Sequence, residues 1–344
     1  MRRGRVLAAL AAASALWLGG CGEPAPVAAP PGTEQFNIAP GEFKGQTAHD
    51  ARYAGLVDAL RSKGTGVWIE SDVVKAYQAG PARYHQVLGI DLSLARRPGV
   101  AGIKIADELG YHDGTTREQA AAVVRQAVRD IHTASPGTKV LIDVVVPELG
   151  CLSWAPNSTP SMRMCGANAV TANPGASIAA VDGYAASGVD VIDLSAGLQD
   201  ESWYVAQGTT ADAAMRQCWR EAVRRWGSRV TLQARKALAH AGPYPGDDAQ
   251  AQAEVHTYVD IPLAEGAKAV DVWTWAQRYQ GQLVTLTDPG GAPNALTRAL
   301  QERRKKGARL WTNMTPSTYQ VDRAHDVLAV ASQFDVVLVA AGTG

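Results

Sequence analysis

The sequence predicts a single α/β domain folded as a closed (β/α)8 barrel, the TIM barrel. Eight short β-branched runs alternate with longer segments of helical spacing. Most of these runs begin 35 to 40 residues after the previous one and follow a small turn residue, usually glycine. Parallel strands joined by helical crossovers produce this alternation, and eight such units in a chain of this length favour a closed barrel.

The predicted strands are rich in valine, isoleucine and leucine. In chain order they cover residues 66–70, 102–107, 139–146, 189–195, 229–235, 269–275, 308–312 and 335–340. The last strand leaves no room for a closing helix, so we expect a helix at 48–62 to cover that gap. A doubly wound open sheet is the alternative, but no GxGxxG motif follows the first strand, where a dinucleotide-binding fold requires it.

The N-terminus has the layout of a secretory signal. Arginines precede an apolar run at 6–18, which is too short to span a bilayer. The sequence Leu-Gly-Gly-Cys at 18–21 resembles the lipobox of bacterial lipoproteins. That resemblance implies a signal peptide at 1–20, a lipid on Cys21, and a protein anchored to the outer face of the bacterial cell membrane. An ordinary signal peptide followed by a chance cysteine is the alternative.

Composition divides the remainder into a tether and a body. Residues 21–47 are rich in proline, glycine and alanine and form the predicted flexible tether, and 48–344 form the barrel. The 33 basic residues balance the 33 acidic ones, so we expect no nucleic-acid partner. Membrane association is expected only through the lipid at Cys21, and the sequence does not predict an oligomeric state.

Cysteine placement agrees with export. Cys151 and Cys165 bracket a short loop that contains two prolines, and outside the cytoplasm such a pair is expected to form a disulfide. Cys218 lies in a helical pattern and is expected to be a buried thiol. Since the cysteines and histidines lack metal-ligand spacing, we expect neither a metal ion nor another cofactor.

Candidate catalytic residues follow from the strand ends, because TIM barrels place their working groups at the C-terminal ends of the strands. Acidic residues gather at the ends of the first four predicted strands: Glu70, Asp107, Glu108, Glu148 and Asp193. Two carboxyl groups, one protonated and one ionised, suit glycoside hydrolysis. The adjacent pair Asp107-Glu108 is the expected source of the acid, and Asp193, Glu148 or Glu70 is the expected second carboxylate.

Strand parity predicts a charged barrel interior. Lys104 shares its face of the second strand with Glu108, and Asp143 and Arg235 lie on the third and fifth strands. Lys104 and Asp143 are expected to pair, because an isolated buried charge is very costly. These residues are candidates for substrate binding, and a purely structural ion pair is the alternative.

Aromatic and amide side chains complete the predicted substrate site. Trp273 and Trp275 lie at the C-terminal end of the sixth strand and Asn313 follows the seventh, opposite the acids, whereas Trp68 and Trp311 are expected to be core residues. In layout, residues 48–344 resemble TIM-barrel glycoside hydrolases, which implies a hydrolase acting on extracellular carbohydrate. The chain departs from that group because its fourth and seventh strands lack the catalytic glutamates, which puts the catalytic pair in doubt.

Two further functions remain open at this point. A non-catalytic carbohydrate-binding lipoprotein on a degenerate barrel would explain the missing glutamates. A lyase that works through a Schiff base would need a lysine of lowered pKa inside the barrel, and Lys104 or Lys236 could supply it. The expected ligand is thus a carbohydrate or another small molecule.

Overall fold

The computed structural model describes residues 47–71, 73–111 and 115–340. The predicted signal peptide, Cys21 and all but the last residue of the predicted tether lie outside the described residues. None of the helices in these ranges combines the length and the apolar character that a membrane crossing requires.

The strands form a closed barrel, as predicted. Eight parallel strands occur in the order β5-β4-β3-β2-β1-β10-β9-β7, and pairing of β5 with β7 closes the ring. A short hairpin strand, β8, and a two-residue strand, β6, extend the sheet beyond β7. The strands are β1 (Gly66–Glu70), β2 (Val100–Ala106), β3 (Lys139–Val145), β4 (Val191–Ser195), β5 (Thr231–Ala237), β6 (His240–Ala241), β7 (Val270–Tyr279), β8 (Gln282–Thr285), β9 (Leu310–Met314) and β10 (Val336–Val339).

Helices surround the ring and follow most of the strands. They are α1 (Thr47–Ser62), α2 (Val73–Gln78), α3 (Pro81–Ala95), α4 (Arg117–Ala134), α5 (Pro147–Gly150), α6 (Pro160–Ala172), α7 (Ile178–Ala186), α8 (Glu201–Ala206), α9 (Ala211–Trp226), α10 (Asp248–Val255), α11 (Ile261–Ala264), α12 (Ala295–Lys305) and α13 (Arg323–Gln333). A turn of π-helix at His256–Asp260 joins α10 to α11.

Helix α4 shows how the sequence sets these elements. Thr116 accepts a hydrogen bond from the Gln119 backbone at 3.2 Å, and the Gln119 side chain accepts one from the Thr116 backbone at 2.9 Å. This capping box satisfies two backbone donors of the first turn. Buried positions then recur at helical spacing from Ala120 to Ile131, so that one face of the helix packs against the barrel.

The first helix covers the gap beside the last strand, as the sequence predicts for 48–62. The Tyr53 hydroxyl on α1 donates to the carbonyl of Val339 on β10 and accepts from the backbone of Glu70 on β1 at 3.3 Å. Leu56 and Leu60, one and two turns further along, are fully buried. A single helix therefore spans the seam between the first and last strands, where the closing helix of a complete barrel would lie.

The Cys151–Cys165 disulfide forms as predicted. Their Cα atoms lie 5.5 Å apart, and the bond joins the end of α5 to α6. The Cys218 thiol on α9 is buried and free.

The barrel interior has an apolar floor and a charged upper layer. Trp68 and Trp311 pack with tilted rings at 6.1 Å between centroids and, as predicted, belong to the core. Leu141 and Val191 complete the same floor. Since inward-facing side chains recur every second residue, the next inward positions along β3 and β4 are Asp143 and Asp193. The polar layer thus begins one pleat above the tryptophans, towards the C-terminal ends of the strands.

Candidate active site

The central group of the upper layer is the Lys104 ammonium on β2. Its side chain is fully buried, and its Nζ atom lies 2.7 Å from Asp107 Oδ1 and 3.2 Å from Asp143 Oδ2. Glu70 Oε2 on β1 lies 3.4 Å away. Three carboxyl groups from three neighbouring segments therefore surround one cation, which fits the requirement that a buried charge be paired.

The second cation is Arg235, near the end of β5. Its Nη1 atom lies 2.7 Å from Asp143 Oδ2 and 3.3 Å from Glu108 Oε1, and its Nη2 atom lies 3.7 Å from Asp107 Oδ1. Glu108 has a left-handed backbone with φ of 45°, which is uncommon outside glycine. Arg235 and Lys104 thus contact the same two carboxyl groups, those of Asp107 and Asp143.

Acidic side chains continue the layer beyond the two cations. Asp193 on β4 and Asp271 on β7 are fully buried. The side-chain amide of Asn313 on β9 has one terminal atom within 3.4 Å of Glu70 Oε2 and the other within 3.1 Å of Asp271 Oδ1. The upper layer therefore contains more carboxyl groups than cations, and some of them must be protonated to avoid uncompensated buried charge.

The pKa values of Asp143 and Asp107 are shifted in opposite directions. Burial raises the pKa of Asp143 to about 8, with Asp107 adding to the rise and Arg235 and Lys104 opposing it. At Asp107 desolvation by the surrounding protein also raises the pKa, but Lys104 and Arg235 outweigh it and hold the pKa below its usual range. Asp107 is moreover 56% exposed, whereas Asp143 is fully buried. The outer carboxyl group is therefore ionised at neutral pH, and the inner one takes up a proton more readily.

The amine of Lys104 is held in its charged form. Burial lowers the pKa of this group, but Asp107, Glu70 and Asp143 together raise it well above its ordinary value. A Schiff base requires a neutral amine, which these contacts oppose. The other candidate lysine, Lys236, points elsewhere, with its Nζ atom 4.5 Å from the centre of the Tyr258 ring.

The remaining acids of the layer are shifted towards their neutral forms. Burial raises the pKa of Glu70, although Lys104 opposes the rise. Burial likewise raises the pKa of Asp193 well above its ordinary value, and the neighbouring Asp271 and Asp143 raise it further. Burial also raises the pKa of Asp271, whereas Arg235 and Asp193 lower it.

Most of the predicted site residues come together in this layer. Glu70, Lys104, Asp107, Glu108, Asp143 and Arg235 form one connected set of ion pairs. Asn313 contacts that set, and Asp193 lies beside it. Glu148 does not join them. It lies on α5, where its carboxylate accepts a hydrogen bond at 2.8 Å from the backbone of Ile178 at the start of α7.

Trp273 and Trp275, which were predicted to bind substrate together, do not form one binding surface. Trp275 is 1% exposed, and its indole nitrogen donates to the buried Asp326 on α13 at 2.9 Å, so it belongs to the packing outside the barrel. Trp273 remains partly exposed and donates to Gln277 at 3.1 Å. Its ring lies edge-on to Tyr279 at 5.6 Å between centroids.

Sequence reasoning missed Asp271. Its strand was interpreted from its tryptophans, yet Asp271 shares its parity with Trp273 and therefore faces the barrel axis. The signal was present in the alternation Val270-Asp271-Val272 at the start of β7. No group of three or more His, Cys, Asp or Glu side chains in the described ranges is arranged to hold a metal ion.

Comparison with known proteins finds similarity to solved structures only. No family model matches the chain, and no curated protein sequence matches it. A candidate phosphonomutase from Burkholderia cenocepacia J2315 aligns with 83% of this chain and 91% of its own, at 13% identity and a TM-score of 0.43. A 2,3-dimethylmalate lyase of the PEP mutase/isocitrate lyase superfamily aligns with 84% of this chain and 80% of its own, at 15% identity and a TM-score of 0.37. An oxaloacetate acetylhydrolase aligns with 83% of this chain and 79% of its own, at 13% identity and a TM-score of 0.41.

The prediction of a glycoside hydrolase is wrong, and with it the prediction of carbohydrate binding. The arrangement of the site carries this correction. Asp107 is held ionised by two cations and cannot serve as the protonated donor, and Trp275 is buried away from the acids.

Proposed function

We propose that this chain is an enzyme that moves a proton at a carbon atom beside a carbonyl group, the chemistry of lyases and isomerases. The observation that carries the proposal is the shared contact of Lys104 and Arg235 with Asp107. Nζ of Lys104 lies 2.7 Å from this carboxylate and Nη2 of Arg235 lies 3.7 Å from it. The arrangement places an exposed, ionised proton acceptor beside two fixed cations that can stabilise a developing negative charge.

Each group has a defined task in this chemistry. Asp107, ionised and facing the mouth, accepts the proton from the substrate carbon. Lys104 and Arg235 stabilise the negative charge that then develops on the carbonyl oxygen, because fixed charges in a buried site act more strongly than in water. Asp143 beneath them holds the two cations in place, with Lys104 Nζ at 3.2 Å and Arg235 Nη1 at 2.7 Å from its Oδ2 atom.

The proposal retains the lyase alternative but changes its mechanism. Lys104 acts as a permanent cation rather than as the nucleophile of a Schiff base, because three carboxyl groups favour its charged form. The substrate class is a small compound in which a carbonyl or carboxylate stands next to a C–H bond. Arg235 suits the oxygen atoms of such groups, since its guanidinium presents several donors in one plane.

Proton exchange with solvent tests this directly. The full chain is incubated in D2O with a panel of small oxo acids and hydroxy acids, and loss of the C–H signal is followed by NMR. We expect exchange with at least one compound, and we expect Asp107→Asn to slow it by roughly 100-fold or more. Asp200→Asn is the matched control, because Asp200 is an exposed aspartate outside the cluster.

Two results would contradict the proposal. One is the absence of exchange above the buffer rate across the whole panel, and the other is an Asp107→Asn variant as fast as the parent. Borohydride treatment with the same compounds separates the two lyase mechanisms. A covalent adduct on Lys104 would replace acid–base chemistry with a Schiff base.

A further inference from the structure

The N-terminal face of the barrel, which we define as the eight turns that lead into the barrel strands, has an excess of positive charge. All eight strands are parallel, so these turns lie at the same end of the molecule, opposite the acidic cluster. Each turn is between two and five residues long. Short turns make this end of the barrel comparatively flat, whereas the other end carries a hairpin and extra helices.

Exposed cations mark six of the eight strand starts. They precede or begin β1, β2, β3, β5, β7 and β9, and among the described residues none of them pairs with a carboxylate. The set comprises Lys63, Arg96, Lys139, Arg229, Lys268, Lys305, Lys306 and Arg309.

The acids of the same face are already paired. Asp335, before β10, lies 3.4 Å from Arg304, and Glu265, after α11, lies 2.8 Å from Arg220. Asp190, before β4, lies 3.2 Å from His132 Nε2 and also accepts a hydrogen bond from the Val140 backbone. Each of these acids therefore contacts a partner other than the exposed cations.

Helix dipoles explain only part of this arrangement. Lys305 ends α12 and so complements the negative end of that helix. Lys139, Arg229, Lys268 and Arg309 stand at strand starts instead, beyond the last turn of any helix. None of these four side chains pairs with a carboxylate among the described residues.

The distribution of charge indicates the shape of the partner. A linear polyanion such as a nucleic acid fits a basic stripe or groove. Here the cations are spread around most of a ring on a face of short turns, which suits a charged plane. A cleft of about 570 Å³ between the ends of α12 and α13 adds a local site, lined by Arg304, Lys305 and Arg309 together with Ser332 and Gln333.

We propose that the N-terminal face docks onto an anionic phospholipid bilayer. Each lysine or arginine near such a surface adds to the attraction, so several together give measurable binding without insertion. This orientation keeps the acidic cluster at the opposite end open to solvent. It is independent of the proposed proton transfer, and it agrees with the predicted lipid at Cys21, which would hold the chain near a membrane.

Vesicle sedimentation tests the proposal. The full chain with Cys21→Ser, which cannot be lipidated, is mixed with vesicles of phosphatidylcholine plus phosphatidylglycerol or of phosphatidylcholine alone. The face variant replaces four neighbouring cations by glutamine: Arg229, Lys268, Lys305 and Arg309. The control variant replaces four exposed arginines at the sides and the opposite end: Arg117, Arg163, Arg278 and Arg298.

We expect binding to anionic vesicles alone, weakened on the order of 1000-fold in the face variant and little changed in the control variant. Raising salt from about 0.1 M to about 1 M shortens the screening length from about 10 Å to about 3 Å and should abolish binding. Equal binding to neutral vesicles, or a face variant that binds like the parent, would overturn the proposal. So would retention by an oligonucleotide without retention by vesicles. Thermal unfolding of both variants verifies that they remain folded.

Discussion

Arg235 Nη1 lies 2.7 Å from Asp143 Oδ2 although the two residues belong to strands that do not pair with each other. Strand β4 stands between them and contributes Asp193 to the same layer. Because Asp143 Oδ2 also lies 3.2 Å from Lys104 Nζ, one inner carboxyl group links two cations across the barrel axis. Lys104, Asp143 and Arg235 therefore act as one electrostatic unit rather than as separate pairs.

Lys104→Met is expected to lower the free energy of unfolding strongly. The substitution keeps a long apolar stem but leaves Asp107, Glu70 and Asp143 without their shared cation, and removing one partner of a buried ion pair costs about 3 to 5 kcal/mol. Urea unfolding at pH 7 measures the loss. The double variant Lys104→Met with Asp143→Asn should recover part of it, and strictly additive losses would contradict the electrostatic coupling.

Strand parity predicted the inward direction of Lys104 and Asp143, because alternation along a strand is a local property. It could not predict that Arg235 reaches Asp143, since that contact depends on ring closure and on the tilt of three strands. Asp271 was missed for a different reason: tryptophans dominated the interpretation of its strand. The basic face was hidden because its cations come from six separate segments of a chain whose total charge is zero.

Asp91 makes stability depend on pH in a predictable direction. It is fully buried on α3, and burial raises its pKa from 3.8 to about 8. The Ser71 side chain acts in the opposite direction and lowers the pKa. The folded protein therefore binds this proton more tightly than the unfolded chain does, so stability should decline as pH rises from about 4 to about 8. The slope from this one group is on the order of 1 kcal/mol per pH unit.

The Asp91→Asn variant isolates that contribution. It keeps the shape of the side chain but cannot ionise, so its stability at pH 8 should exceed that of the parent, while the two converge towards pH 4. Asp200→Asn, at an exposed position, is the control and should reproduce the parent curve. Parallel curves for Asp91→Asn and the parent between pH 4 and pH 8 would refute the assignment.

The Cys151–Cys165 disulfide is expected to stabilise the loop that follows β3. It spans 14 residues, and closing a loop of that size contributes about 3 kcal/mol in the chain-entropy account. Replacing both cysteines by serine should therefore lower the melting temperature by about 5 °C. A reductant should produce the same shift in the parent and none in the double variant. A double variant that melts at the same temperature as the parent would contradict this prediction.

Glu148 and Asp107 are both acids at strand ends, and their surroundings predict opposite consequences of amide substitution. Glu148 Oε2 accepts from the Ile178 backbone at 2.8 Å, at the start of a nine-residue helix, away from Lys104 and Arg235. Glu148→Gln retains an acceptor there, so the cost in unfolding free energy should be about 1 kcal/mol or less. Its proton-exchange rate in D2O should stay within about twofold of the parent, as is usual for changes away from a site.

Asp107→Asn should show the reverse pattern. The substitution removes the exposed base between two cations, so the exchange rate should collapse while the fold survives, because 56% of the Asp107 side chain is exposed. Circular dichroism and urea unfolding monitor the fold, and NMR monitors exchange in the same samples. If Glu148→Gln abolished exchange and Asp107→Asn did not, the reacting centre would lie beside α7, and the cluster around Lys104 would be a structural feature of the barrel interior.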